Sequence, residues 1–130
     1  MRQGDAHHAV QLASRLAELM DAERMTQMGL SQRSGVSQRA ISTILDVRTP
    51  AAINPRLATI AALASAFDID AWHLLVPGLP LSVLRNPALR RLLDSYAGCD
   101  EDGRLAIERQ ASLEHRYVVA LNLAKRTDEA

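Results

Sequence analysis

Four polar side chains lying close together in the chain, Gln38, Arg39, Ser42 and Thr43, have the donors and acceptors needed to read the edges of base pairs. A glutamine amide can form two hydrogen bonds to adenine, an arginine can do the same to guanine, and a threonine methyl can touch that of thymine. Such a set works only on one rigid element, because the major groove, about 12 Å wide, admits a single α-helix. The spacing allows this: on a helix, Ile41, Ile44 and Leu45 share one side, and the four polar residues are left free to face outward. None of the four is a residue that a hydrophobic core would need.

The neighbouring residues supply the ends of that helix and of a shorter one before it. Ser37 is a good N-cap for a helix from Gln38 to Leu45, and Thr26 for one that runs through Leu30 to about Ser34. Gly35 between them provides the permissive backbone that ends the first helix. The segment Met25 to Leu45 therefore reads as two short helices flanking a tight turn, and the reading of double-stranded DNA is its expected task.

The string Thr26-Gln27, Leu30-Ser31, Gly35-Val36-Ser37-Gln38, Ile41-Ser42, Ile44-Leu45 resembles the Xre, or lambda-repressor-like (Cro-type), helix-turn-helix family of transcriptional regulators. The resemblance covers roughly Leu12 to Val76 and implies a compact five-helix DNA-binding domain with the recognition helix in the major groove. It implies that Gln27 bonds a phosphate and braces Gln38, the first residue of the recognition helix. It places Gln38, Arg39 and Thr43 at base-reading positions, with Ser42 as a fourth contact. Ser37, Arg48, Thr49 and Arg56 would then lie near the phosphate backbone, where cations and hydroxyls fix register without reading sequence.

The rest of the chain has to hold this segment in place. Leu12, Leu16, Leu19 and Met20, with Ala9, Ala13 and Ala17 beside them, predict an amphipathic first helix. After a loop from Asp46 to Ile53, Asn54-Pro55 reads as an N-cap followed by proline at the first helical position. Leu57, Ile60, Leu63, Ala64 and Phe67 form the stripe of a fourth helix, and Asp70 caps a fifth that contains Trp72, Leu74 and Leu75 and ends at Pro77-Gly78. A helix-turn-helix domain over residues 8–78 is the expectation.

Residues 79–130 are expected to form a helical C-terminal extension. Leu79 to Asn86 reads as a connector, and Asn86-Pro87 as a second cap-and-proline start. Leu89, Leu92, Leu93 and Tyr96 make the stripe of one helix, which Gly98 stops. Asp100, Glu101 and Asp102 suit the N-terminus of a long last helix with Ile107, Ala111, Leu113, Tyr117, Val118 and Leu121 on a broad apolar face. This hairpin is expected to be a dimerisation arm, with Tyr117, Val118 and Leu121 facing a partner, since regulators of this family usually bind paired half-sites about 34 Å apart.

Composition agrees with an all-α chain: aromatics make up only 3% of 130 residues, whereas leucine and alanine are plentiful. The formal net charge is zero, so any attraction to DNA must come from local charge. Between Met25 and Ile60, Arg33, Arg39, Arg48 and Arg56 face Asp46 alone. A single cysteine, Cys99, excludes an intrachain disulfide, and with no signal-peptide pattern or membrane-spanning run the expected location is cytoplasmic, on the nucleoid.

No enzyme activity, metal or cofactor is expected. His7, His8, His73, His115 and Cys99 lack zinc-site spacing, and Asp100-Glu101-Asp102-Gly103 lacks the alternating ligands of a calcium loop. Lys125 is the only lysine and lies too near the end to serve a serine-lysine peptidase. Two alternatives to a homodimeric repressor stay open: an antitoxin whose arm holds a toxin, and a protein-interaction module without DNA affinity.

Overall fold

The computed structural model of the protein describes residues 3–46, 48 and 54–128, with side chains from residue 7 onward. Its regular structure consists of α1 (Gln3–Ala22), α2 (Gln27–Ser34), α3 (Gln38–Leu45), α4 (Leu57–Ser65), α5 (Ala71–Leu75), α6 (Leu81–Leu84), α7 (Pro87–Gly98) and α8 (Glu101–Asp128). No strand occurs among the described residues, so the chain is all-α.

Two compact units divide the chain, Met1–Arg85 and Asn86–Ala130. In the first, helical spacing along α1 puts Leu12, Leu16 and Leu19 on one side, where they are buried with Leu30 of α2, Ile41 of α3, Leu63 of α4 and Leu74 of α5. Burial of each such side chain contributes about 1.5–3 kcal/mol relative to its exposure to water. Phe67, just past α4, completes this core. Leu57, expected on the α4 stripe, is instead 69% exposed.

Three helices of this unit end with a residue in the left-handed region. Gly35 follows α2 with φ 74°, and its N–H bonds the carbonyl of Ser31. Arg24 follows α1 with φ 51°, and Asp68 follows α4 with φ 56°. At both of these ends two reverse bonds close the turn: Met25 to Met20 and Arg24 to Asp21 after α1, Ile69 to Ala64 and Asp68 to Ser65 after α4. This is the Schellman pattern, which satisfies carbonyls that the helix leaves unpaired.

The division between units falls after Arg85, not at Gly78 as the sequence led us to expect. Residues 81–84, read as connector, form α6, and Leu81 and Leu84 are buried in the first unit. Two side chains tie this stretch and the residues just before it to the rest of the unit. His73 Nε2 donates to the carbonyl of Leu84 at 3.0 Å, and the buried Arg15 donates from Nη2 to the carbonyls of Val76, at 3.3 Å, and of Leu79. Nothing in hydrophobic periodicity announces an arginine on the core side of α1.

The second unit is a helical hairpin. Asn86 Oδ1 caps α7 by accepting from the Ala88 N–H at 2.9 Å, with Pro87 at the first helical position. α7 and α8 meet through a polar clasp beside the turn: Arg104 donates to the carbonyls of Tyr96 (3.1 Å) and Ala97 (3.2 Å), and Tyr96 Oη donates to Glu108 Oε1 at 2.7 Å. Neither helix has a buried residue, and Leu92, Leu93, Leu113, Tyr117, Val118, Leu121 and Leu123 are all exposed. No helix among the described residues is long and apolar enough to cross a membrane.

A candidate nucleic-acid interface on α2 and α3

α3 is built from both ends inward. At its start, Ser37 has extended backbone and its Oγ accepts the Ala40 N–H at 3.2 Å. Along its length, Ile41 and Ile44 are buried against α1 and α2, which fixes the rotation of the helix about its axis. That rotation leaves Gln38, Arg39, Ser42 and Thr43 exposed on one continuous side. The four side chains singled out for base reading are thus brought together.

α2 is held just as locally. Thr26 Oγ1 accepts the Gly29 N–H at 3.1 Å, so Thr26 caps α2 and Gln27 is its first residue, half-buried. The turn to α3 is braced by Ser34, whose Oγ donates to the Leu30 carbonyl at 2.7 Å and accepts the Val36 N–H at 3.2 Å. The expected brace between Gln27 and Gln38 is not made, because no hydrogen bond joins the two side chains. Both amides keep their donors and acceptors for other partners.

Thr43 narrows what it can offer. Its hydroxyl donates to the Arg39 carbonyl at 2.9 Å, one turn back, so its proton is used within the helix and its methyl and its oxygen as an acceptor are left for contact. That suits apolar contact with thymine more than donation to a base. Arg39 and Thr43 also line an open groove of about 370 Å³ together with Ser37, Ile44, Asn54 and Pro55.

Asn54 is a residue that the sequence misassigned. α4 begins at Leu57 with Arg56 as its N-cap, and Thr59 and Ile60 donate to the Arg56 carbonyl without any side-chain cap. Asn54 and Pro55 therefore precede the helix instead of starting it, which leaves the Asn54 amide exposed beside Arg39. An Asn-Pro pair signals a helix start and a simple turn equally well, so the pair alone could not separate the two.

The residues expected near phosphates divide further. Ser37 and Arg56 are exposed, while Thr49 lies outside the described residues. Arg48 is exposed but already has an anion: its Nε donates to Asp46 Oδ1 at 2.9 Å, its Nη2 to Oδ2 at 3.1 Å and its backbone N–H to Oδ1 at 3.1 Å. These bonds hold the Asp46 carboxyl below the usual carboxylate range and raise the Arg48 guanidinium further. Arg33, on α2, pairs with Glu23 at 3.2 Å.

No group of three or more histidine, cysteine, aspartate or glutamate residues able to hold a metal ion occurs among the described residues. In comparison with known proteins, no family profile, curated protein or solved structure matches this chain.

Proposed function

We propose that the protein is a sequence-specific transcriptional regulator, a repressor of bacterial or phage type, that reads double-stranded DNA with α3 and acts as a homodimer on an inverted-repeat operator. One observation carries the reading: α3 has two opposite sides, Ile41 and Ile44 buried, and Gln38, Arg39, Ser42 and Thr43 exposed together. A helix anchored by its apolar side and offering glutamine, arginine and threonine on the other is what major-groove readout requires.

In this reading α1 to α5 form the five-helix lambda-repressor-like domain, α2 supports α3, and Gln27, Ser37 and Arg56 meet phosphates. The protein has no enzymatic role and no cofactor, and works in the cytoplasm on the nucleoid. The hairpin supplies the second copy through Tyr117, Val118 and Leu121, because one copy of a net-neutral chain would have weak electrostatic hold on DNA. Titration of the protein into the duplex upstream of its own gene, read by gel shift beside random duplex, tests this. Preference for the upstream duplex is expected, and equal or absent shifts overturn the reading.

The hairpin also favours a second reading, in which its exposed apolar side chains hold a different protein, as in an antitoxin or an interaction module. Light scattering of the purified protein separates the two. A mass twice that of the 14.2 kDa chain supports the homodimer, and a stoichiometric foreign chain supports the second reading.

A further inference from the structure

Arg48 is the one expected phosphate contact whose guanidinium is already bound in a two-pronged fashion by a carboxylate. Asp46 holds it through Nε at 2.9 Å and Nη2 at 3.1 Å, the same fork that an arginine presents to a phosphate, and adds the Arg48 N–H at 3.1 Å. The pair sits immediately beyond the end of α3, where Asp46 is the C-cap residue and its N–H bonds the carbonyls of Ser42 and Thr43. One partner of the pair is therefore fixed to the reading helix, and a DNA phosphate can take the Nε–Nη2 fork of Arg48 only by displacing it.

We propose that Asp46 is an intramolecular competitor for the DNA phosphate at Arg48 and so lowers the sequence-independent part of the protein's affinity for DNA. This rests on the DNA-reading function above. The pair is exposed, with 85% of the Arg48 side chain and 34% of the Asp46 side chain accessible, so it is weak enough for a phosphate to open. It is also electrically neutral as a unit. A free arginine that meets a phosphate releases a counterion and steepens the dependence of affinity on salt, whereas an arginine exchanged from one anion to another adds little. Arg48 in the native protein is thus nearly silent in the salt dependence, and removal of the carboxylate unmasks it.

The test uses the full chain, random-sequence duplex and fluorescence anisotropy over a range of salt. Asp46→Asn is expected to bind random duplex more tightly, by up to about five-fold per bound copy at low salt, with a log–log salt slope steeper by about 0.9 per copy. Asp46→Ala repeats the measurement without an amide that could bond Arg48. In the Asp46→Asn background, Arg48→Ala is expected to return both quantities to the native values. Unchanged affinity and slope in both Asp46 variants overturn the proposal, and so does a gain that survives Arg48→Ala, since that gain would come from loss of the acid alone. If the native protein selects its upstream duplex but the Asp46 variants behave like it, only the competitor role falls. If no duplex is bound by any variant, the DNA-reading function falls and this inference with it.

Discussion

The imidazole of His73 bridges two elements of the first unit: Nε2 donates to the Leu84 carbonyl at 3.0 Å, and Nδ1 accepts the Asp70 N–H at 3.1 Å. Because a carbonyl can only accept, Nε2 must carry the hydrogen, and the neutral ring then has Nδ1 as its acceptor. One side chain thus closes the start of α5 and pins α6. Trp72 stacks on the same ring, with centroids 4.1 Å apart.

His73→Phe keeps a ring of similar bulk but leaves the Leu84 carbonyl and the Asp70 N–H unpaired. A loss of about 1–3 kcal/mol of stability is expected. Urea unfolding followed by the fluorescence of Trp72, the only tryptophan, measures it directly. An unchanged midpoint would show that the bridge contributes nothing.

The left-handed helix ends predict effects of opposite sign. A Cβ added at Gly35 meets nothing within 4 Å, so Gly35→Ala incurs only the backbone strain of φ 74°, about 1–2 kcal/mol. Arg24 bears that strain already, and Arg24→Gly is expected to stabilise the protein by up to about 1 kcal/mol after the entropy cost of glycine. Thermal unfolding of the two variants side by side decides the matter, since the same shift in both would contradict the account.

Tyr96 ionises above the ordinary phenol range, first because its hydroxyl proton is shared with Glu108, then through partial desolvation and the negative charge of that carboxylate. A proton held more tightly when folded adds stability at pH below the ordinary phenol value, and that contribution disappears as pH rises through the folded value. Alkaline titration by ultraviolet absorbance in a Tyr117→Phe background isolates Tyr96. Glu108→Ala is expected to return it toward the ordinary range, and no movement would refute the assignment.

Under the proposed DNA-reading function, Gln38→Ala is expected to weaken binding to the selected duplex by about 1–3 kcal/mol while leaving random duplex unaffected. Since Gln38 is exposed, its unfolding midpoint should stay within about 0.5 kcal/mol of native. Equal weakening on both duplexes would move Gln38 from base reading to backbone contact.

Much of α3 could be read from the sequence because each decision there is local. Ser37 caps, Ile41 and Ile44 repeat at helical spacing, and the polar residues fall on the remaining side. The caps at Thr26 and Asn86 were legible for the same reason. What escaped is set by contacts between distant segments or by backbone that the residue type does not advertise. Arg15 is buried because carbonyls of Val76 and Leu79, far along the chain, face it. Residues 81–84 became a helix of the first unit through Leu81, Leu84 and His73, against the stop signal of Pro77-Gly78. Arg24 and Asp68 end helices where glycine is the usual sign. The bond from Arg48 to Asp46 spans only two residues, but an Asp-Val-Arg run has no fixed geometry until a helix end orients it.

The clasp of Tyr96, Arg104 and Glu108 lies entirely at the turn end of the hairpin, and α7, at about 18 Å, is far shorter than α8, at about 42 Å. The remote half of α8 must therefore keep its helical bonds with no tertiary support from α7, in a length range where isolated helices are marginal in water. Amide hydrogens along α8 should exchange in a gradient, slow beside Arg104 and faster toward Thr127. Whatever docks on the remote half would flatten that gradient, so the helicity of this arm reports occupancy and rises with protein concentration if the occupant is a second copy.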